Sequence, residues 1–149
     1  MIKVVGLWEL NLNTPLSESW LWTFVLREFH VKDWSMVPIT GIIHNAKTKI
    51  DLTEYQTLDE YFVNQNPEIP RVFVDEKAET ELQYFQHPEN VIYVFGNAGT
   101  SPMKSPSYVR DIDKSVRIDT LNNRGLMWPH QCLLLILYDR MIKSNKKWQ

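Results

Sequence analysis

The sequence is poor in cysteine, has no excess of basic residues and contains no long apolar run. Because its one cysteine, Cys132, has no partner for an internal disulfide, the fold does not depend on an oxidising compartment, and we expect a cytoplasmic protein. The formal net charge of -2 argues against a polybasic protein that binds phosphates through bulk charge alone. The longest apolar run, residues 132–138, falls far short of the roughly 18 residues of a membrane span, so we expect no membrane association.

What the sequence does contain is enough apolar surface for one globular domain. Its 149 residues are 44% hydrophobic and 23% charged, and no linker, repeat or low-complexity segment divides them. We therefore expect a single domain over residues 1–149. The last residues, 143–149, are polar and are expected to form a frayed end, although their lysines leave a contact with nucleic acid open.

Apolar periodicity predicts strands that alternate with helices along the chain. Strands are expected at residues 2–10, 34–40, 71–74, 91–95 and 115–119, and helices at residues 17–30, 58–65 and 81–85 and from Pro129 onward. Ser17 is the expected cap of the first helix, and residues 41–56 show no period and are expected to form a loop. Such alternation predicts a three-layer α/β domain with a mostly parallel central sheet.

The stretch VIYVFGNAG, residues 91–99, joins the most apolar strand to a loop with two glycines. Apolar side chains on both faces are typical of a central parallel strand covered by helices. Ligands of open parallel sheets bind beyond the carboxyl ends of such strands, where Gly96 and Gly99 would lie. Glycine lets the backbone approach a ligand closely, so the loop is expected to present amides to an adenosine or a carboxylate. A tight turn without a ligand stays the alternative, because the GxGxxG and Walker patterns are absent.

The last predicted helix, PHQCLLLILYDRMIK, has an apolar surface that nearly encircles it. Pro129 stands at a favourable first helical position. A helix that is apolar on all sides needs two buried faces. One face can cover the sheet and the other can meet a second copy of the chain, so we expect a homodimer.

Three segments in the last third of the chain follow one another in the order of a known family. They are VFGNAG at residues 94–99, VRID at residues 116–119 and LLILYDR at residues 134–140. This arrangement resembles the SPOUT superfamily, the α/β trefoil-knot methyltransferases, and most closely its branch that methylates RNA ribose 2′-hydroxyls. The resemblance is clear over residues 87–143 and weaker over residues 1–40. It implies a C-terminal deep trefoil knot, a homodimer that meets through the first and last helices, RNA as the partner and S-adenosylmethionine as the cofactor.

The resemblance also implies where the cofactor and the reacting groups lie. The cofactor is expected among three loops, bound by Phe95, Gly96, Asn97, Gly99, Ile118, Asp119, Gly125, Met127 and Trp128. The candidate catalytic residues are Arg27, Arg124 and His130, because a 2′-hydroxyl is a poor nucleophile near neutral pH and benefits from a nearby cation or base. A surface salt bridge is an equally good account of Arg27.

Several positions depart from the family pattern. Ala98 stands where the motif usually has glutamate, Asp119 replaces a proline, and residues 126–128 replace Ser-Leu-Asn. These departures keep a second hypothesis open, in which the chain is a catalytically inactive knotted dimer that binds a protein or a nucleic acid. Trp128 packed into the cofactor pocket would favour the inactive dimer, whereas an open cleft lined by Gly96 and Gly125 would favour the methyltransferase.

Other residues with possible chemistry have plainer explanations. His130 and Cys132 are two ligands without a second cluster, so no metal site is expected. Trp20 and Trp22 do not share a helix face, so at least one is expected to be buried rather than to stack on a base. Isolated histidines, expected in caps or turns, are His30, His44 and His87.

Overall fold

The computed structural model describes residues 1–10, 14–42, 50–103, 108–122 and 127–144. Its strands are β1 (Ile2–Leu7), β2 (Asp33–Val37), β3 (Asp51–Glu54), β4 (Arg71–Val74), β5 (Thr80–Glu81), β6 (Val91–Phe95) and β7 (Lys114–Arg117), and its helices are α1 (Pro15–Glu28), α2 (Leu58–Val63) and α3 (Pro129–Ser144). The strands form one sheet in the order β3-β2-β1-β6-β4-β7-β5. Every neighbouring pair runs parallel, so the predicted α/β class and parallel sheet are confirmed.

Strand β6 lies at the centre of the sheet, between β1 and β4. All five of its residues are buried, and their side chains alternate between two apolar clusters. Val91, Tyr93 and Phe95 belong to one cluster, and Ile92 and Val94 belong to the other. As the sequence predicted, the unbroken apolar run belongs to a central strand that is covered on both faces.

Helices cover the sheet on both sides and complete three layers. The first cluster contains buried residues of α1 and α3, such as Trp22 and Leu133, and the second contains buried residues of α2, such as Tyr61. Trp22 is fully buried and stacks on Trp34 with ring centroids 6.2 Å apart, whereas Trp20 is 37% exposed. The expectation that one of the two helical tryptophans belongs to the core is confirmed.

Local capping explains where α1 begins and ends. Thr14, rather than the predicted Ser17, is the cap, and its hydroxyl accepts the backbone N–H of Ser17 at 3.3 Å. Pro15 follows at the first helical position, where its missing N–H is not needed. After the helix, His30 adopts a positive φ of 56°, so its predicted role in a turn is confirmed.

The sequence prediction missed two edge strands. Residues 41–56 were expected to form a loop, yet residues 51–54 form β3 at one edge of the sheet. At the other edge, the predicted helix at 81–85 is the two-residue β5 followed by a single 3-10 turn, Leu82–Tyr84. Both strands are short and only half buried, so they lack the apolar alternation on which the prediction relies.

His87 is not a simple turn residue, and the prediction for it was wrong. Its ring lies between Tyr93 of β6, 2.7 Å from Nδ1 to the phenol oxygen, and Asp139 of α3, 2.8 Å from Nε2 to the carboxylate. Arg140 donates to the Tyr93 oxygen at 3.1 Å and to the carbonyl of Pro88 at 2.6 Å. This polar network fastens the C-terminal half of α3 to the central strand.

One long face of α3 is buried and the opposite face is exposed. Buried residues are Pro129, Leu133, Ile136 and Leu137. Exposed apolar residues of the same helix are Leu134, Leu135, Tyr138 and Ile142. Within the described part of the chain, no helix has the length and hydropathy needed to cross a bilayer.

Candidate functional site

A cavity of about 300 Å³ opens at the carboxyl ends of β4, β6 and β7. It is lined by residues 74–77 after β4, residues 95–102 after β6, Ile118 after β7, and Met127, Pro129 and Cys132 at the start of α3. In the sheet, β6 lies between β1 and β4, although β2 and β3 precede it in the chain. The loops that connect the strands therefore diverge at this edge of the sheet. Such an edge is where open parallel sheets hold their ligands.

The segment from Gly96 to Pro102, which we call the glycine loop, folds back on itself as a tight turn. Asn97 and Thr100 exchange two backbone hydrogen bonds, of 3.0 and 3.2 Å. The Gly99 N–H donates to the Asn97 side chain at 3.1 Å, and the Ala98 N–H donates to the Glu9 carboxylate. The four consecutive amides from Asn97 to Thr100 are therefore already bonded inside the protein, which leaves three of the four GNAG amides unavailable to a ligand. The loop offers carbonyl oxygens instead.

The two glycines of the turn serve different purposes. A Cβ on Gly96 would collide with the Thr100 carbonyl oxygen and lie 2.9 Å from Cδ of Pro102. Gly96 is therefore required by the close packing of the loop against itself. A Cβ on Gly99 would meet nothing within 4 Å, and Gly99 borders the cavity. Only Gly99 has open space beside it.

Asp75, which the sequence analysis missed, joins two of the segments that line the cavity. It follows β4 directly and is only 7% exposed. One carboxylate oxygen accepts the Lys77 N–H at 2.7 Å, and the other accepts the Ser101 hydroxyl of the glycine loop. The available signal was its position, since it is a polar residue at the carboxyl end of the buried strand RVFV.

Residues between β1 and α1 hold the glycine loop in place through hydrogen bonds. The Trp8 carbonyl accepts the side-chain amide of Asn97 at 3.0 Å, and the buried Glu9 carboxylate accepts the Ala98 N–H. Glu18 of α1 in turn accepts the Glu9 N–H at 2.9 Å. Burial raises the pKa of Glu18, and the nearby charge of Glu9 raises it further. Two buried carboxyl groups thus lie beneath the loop.

The structure brings six of the nine predicted cofactor-binding residues to the cavity, namely Phe95, Gly96, Asn97, Gly99, Ile118 and Met127. Asp119 instead forms an ion pair with Arg117 at 3.0 Å on the surface. Trp128 precedes α3, where its N–H donates to the Gln131 side chain at 2.9 Å, and its ring lies against His130 rather than in the lining of the cavity. Gly125 lies outside the described residues.

The predicted catalytic residues do not meet at the cavity. Arg27 is exposed in the last turn of α1, which begins near the carboxyl edge, so it lies about 18 Å along the helix from that edge. Arg124 lies outside the described residues. His130 is half buried. In the sequence it lies between Pro129 and Cys132, which both line the cavity. Burial lowers the pKa of His130, which keeps its ring neutral at pH 7.

Cys132 lines the cavity but lacks the features of a nucleophile. Burial raises the pKa of its thiol to about 11, so the reactive thiolate is scarce at neutral pH. Among the described residues, no three His, Cys, Asp or Glu side chains are grouped in a way that would hold a metal ion. The lining of the cavity therefore suits binding by shape and hydrogen bonds.

Solved structures share this fold over nearly the whole chain. A protein from a structural study of 2′-OH methylation of C/U34 on tRNA matches 97% of this chain and 91% of its own, with a TM-score of 0.71 and 10% identity. The SpoU methyltransferase AviRb from Streptomyces viridochromogenes matches 99% of this chain and 61% of its own, with a TM-score of 0.73 and 11% identity. A TrmH/SpoU tRNA modifying enzyme from A. aeolicus matches 99% and 77%, with a TM-score of 0.66 and 12% identity.

Sequence comparison alone finds no such likeness. No protein-family model matches the chain, and no curated protein matches it. Identities of 10–12% show that the fold is shared and leave the activity to be argued from the site. The chain has the α/β fold of the SpoU methyltransferase AviRb and of the TrmH/SpoU tRNA modifying enzyme.

Proposed function

We propose that the chain is an S-adenosylmethionine-dependent methyltransferase that acts on a ribose 2′-hydroxyl of RNA. The observation that carries the proposal is the cavity at the glycine loop, which is open and has Trp128 outside its lining. Its position at the carboxyl ends of central parallel strands is where this class of fold holds ligands. A structure of AviRb in complex with AdoMet, which is S-adenosylmethionine, has the same fold with a TM-score of 0.67.

The residues present fit S-adenosylmethionine in size and in chemistry. A volume of about 300 Å³ falls at the lower end of the range of roughly 300–1,000 Å³ found for ligand pockets. Ile118 and Met127, which are half buried, supply apolar surface for an adenine ring. The carbonyl oxygens of the glycine loop and the Asp75 carboxylate supply acceptors for the ligand's amino and hydroxyl groups.

When bound, the cofactor would supply a methyl group on a positively charged sulfur, and Gly99, Ile118 and Met127 of the lining would hold it. Methylation of a ribose hydroxyl requires that the hydroxyl proton pass to a base. The chain contributes mainly by holding the two reactants in line. His130 is the proposed base, because its neutral ring can accept the proton and its chain neighbours line the cavity. Arg27, far along α1, is better placed to bind an RNA phosphate. Arg124 carries the positive charge that the same role requires.

The proposal includes the knot and the homodimer that the family resemblance implies. On α1, Leu16, Trp20 and Phe24 are exposed at four-residue spacing and form one apolar stripe. On α3, which packs beside α1, Leu135, Tyr138 and Ile142 form a second stripe. A second copy of the chain covering both stripes accounts for their exposure. The proposal takes residues 1–149 as a single domain and places its activity in the cytoplasm.

Methyl transfer tests the proposal directly. The purified protein is incubated with S-adenosylmethionine carrying a labelled methyl group and total RNA from its host, and the labelled nucleotide is identified by digestion and mass spectrometry. The proposal predicts a 2′-O-methylated nucleotide. Replacing the base in His130→Gln is expected to slow transfer by about 10²- to 10⁴-fold, whereas His30→Asn, at an exposed turn, serves as the matched control. Absence of transfer to any RNA contradicts the proposal.

The second candidate is an inactive knotted dimer that binds a protein or a nucleic acid. Asp119 favours it, because this residue departs from the family pattern and is engaged by Arg117 instead of lining the cavity. The two candidates differ in one outcome of the transfer assay. Binding of RNA without any methyl transfer, in the presence of bound cofactor, would support the inactive dimer.

A further inference from the structure

The lining of the cavity accepts hydrogen bonds much more readily than it donates them. The four amides from Asn97 to Thr100 are all used inside the protein. Their carbonyl groups retain lone pairs, since each backbone oxygen can accept two bonds. A ligand that presents donors is therefore favoured, and an anion such as a phosphate finds few free donors among these residues.

The charged side chains of the lining point to the same preference. Asp75 and Glu76 carry negative charge and Lys77 carries positive charge, which leaves one net negative charge among the described residues of the cavity. Glu76 and Lys77 are exposed, so water and salt screen their charges. Asp75 is 93% buried and is held in place by Lys77 N–H and the Ser101 hydroxyl, so its field is screened less.

We propose that Asp75 is a specificity-determining residue that makes the cavity prefer S-adenosylmethionine, which has a net positive charge, over its product S-adenosylhomocysteine, which has no net charge. This inference rests on the proposed function. S-adenosylmethionine carries a sulfonium, an ammonium and a carboxylate, for a net charge of about +1 at neutral pH, in which the ammonium and carboxylate follow ordinary pKa values. Transfer of the methyl group turns the sulfonium into a thioether and removes that charge. The electric field of the Asp75 carboxylate therefore favours the ligand that carries the extra positive charge.

The consequence for the reaction is a weaker hold on the product. A buried carboxylate in the lining would stabilise the positively charged sulfonium and leave the thioether largely unaffected. The same side chain also joins the segment after β4 to the glycine loop, and these two hydrogen bonds hold its charge in place beside the cavity.

The test compares the affinities of both ligands in charge-removing variants. Asp75→Asn keeps the shape, can still accept the Lys77 N–H and can donate to the Ser101 oxygen, but it removes the charge. Calorimetric titration is expected to show that the ratio of S-adenosylmethionine to S-adenosylhomocysteine affinity falls about 5-fold in this variant. Glu79→Gln, an exposed carboxylate outside the lining, is the matched control and should leave the ratio unchanged. Ser101→Ala, which breaks the bond and keeps the charge, should largely preserve the ratio.

Each alternative outcome has a definite meaning. If the wild type binds both ligands and Asp75→Asn weakens both equally, Asp75 has a structural role only and the inference is overturned, while the proposed function stands. If the wild type binds neither ligand, the proposed function fails and the inference with it. Should Asp75→Asn not fold, the wild type decides, because the inference requires it to bind S-adenosylmethionine more tightly than S-adenosylhomocysteine; equal affinities for the two ligands overturn the inference.

Discussion

At the scale of single residues, the turn of the glycine loop shows that two glycines in one motif can be kept for different reasons. Gly96→Ala is expected to lower the free energy of unfolding by about 1–3 kcal/mol, because the new Cβ collides with the Thr100 backbone oxygen. Gly99→Ala should change it by less than about 0.5 kcal/mol, because the added atom enters open space. Urea unfolding measures both values. Equal effects of the two substitutions would contradict the packing described for this loop.

The buried carboxyl pair beneath the loop gives a second prediction for single residues. Glu9→Gln keeps an oxygen for the Ala98 N–H and removes the charge that faces Glu18, so the pKa of Glu18 is expected to fall. Carboxyl ¹³C NMR over a pH titration reads this directly, and Glu28→Gln at the exposed end of α1 is the control. No fall in the pKa would mean that burial alone sets it.

The raised pKa of Glu18 also makes the free energy of unfolding depend on pH. The folded protein holds this proton more tightly than the unfolded chain does. The contribution of Glu18 to stability is therefore complete below its ordinary pKa of 4.5 and is lost as the pH rises through the value in the folded state. The hydrogen bonds from the Glu9 N–H and the Trp22 indole, at 2.9 and 3.3 Å, oppose this loss because they favour the charged form.

At the scale of elements, the attachment of α3 to the sheet depends on a neutral histidine. Hydrogen on Nε2 of His87 donates to Asp139, and Nδ1 accepts the Tyr93 hydroxyl, so the neutral ring satisfies both partners. Burial lowers the pKa of His87, although the hydrogen bond to Asp139 and its charge act in the opposite direction. Arg140 and Lys143, which lie beside this network, lower it further.

Stability should therefore fall as the pH is lowered from 7.5 to 5.5. A histidine with a lowered pKa contributes fully above its ordinary value of 6.5, and the contribution is lost as the pH falls through that value towards the folded one. Urea unfolding measures how much the free energy of unfolding decreases between pH 7.5 and pH 5.5. This decrease should be smaller in His87→Gln than in the wild type, whereas His30→Asn should show the same decrease as the wild type. His130, whose pKa is lowered too, accounts for part of what remains. The same loss in His87→Gln as in the wild type would contradict this role.

Which elements could be predicted from the sequence follows from how each is buried. β4 and β6 were predicted with their observed bounds, because buried strands require a short unbroken apolar run. β3 and β5 could not be, because an edge strand is held by backbone hydrogen bonds that leave little trace in the side chains. His87 was missed for a similar reason, since its partners Tyr93 and Asp139 are distant in sequence and meet only in the fold.

The same limits apply to the candidate site. Residues next to a recognisable strand, such as Phe95 and Gly96, were placed correctly at the cavity because their position follows from the sheet. Asp75 and Glu9 were missed, because their contacts to Ser101 and Ala98 cross between loops that only the tertiary structure brings together. The hydrogen bonds of the glycine-loop amides could not be predicted from the sequence either, because they depend on the shape of the turn.

At the scale of the whole molecule, the two apolar stripes on α1 and α3 predict the state of assembly. Phe24→Asp or Tyr138→Asp places a charge in the proposed interface and is expected to convert a dimer to a monomer in sedimentation velocity. Because both side chains are exposed in the single chain, the monomer should stay folded by circular dichroism. Val63→Asp, at an exposed apolar residue of α2 on the other face of the sheet, is the control. A wild type that sediments as a monomer would contradict the proposed dimer.

The account as a whole depends on whether the cavity at the carboxyl edge holds the cofactor. Calorimetric titration of the wild type with S-adenosylmethionine, beside Gly99→Trp and Leu121→Trp, tests this most directly. Gly99 borders the cavity and has open space for a larger side chain, whereas Leu121 is fully exposed outside it. We predict binding in the micromolar range by the wild type and by Leu121→Trp, and its loss in Gly99→Trp. A folded wild type that binds no cofactor, or undiminished binding by Gly99→Trp, would contradict the account.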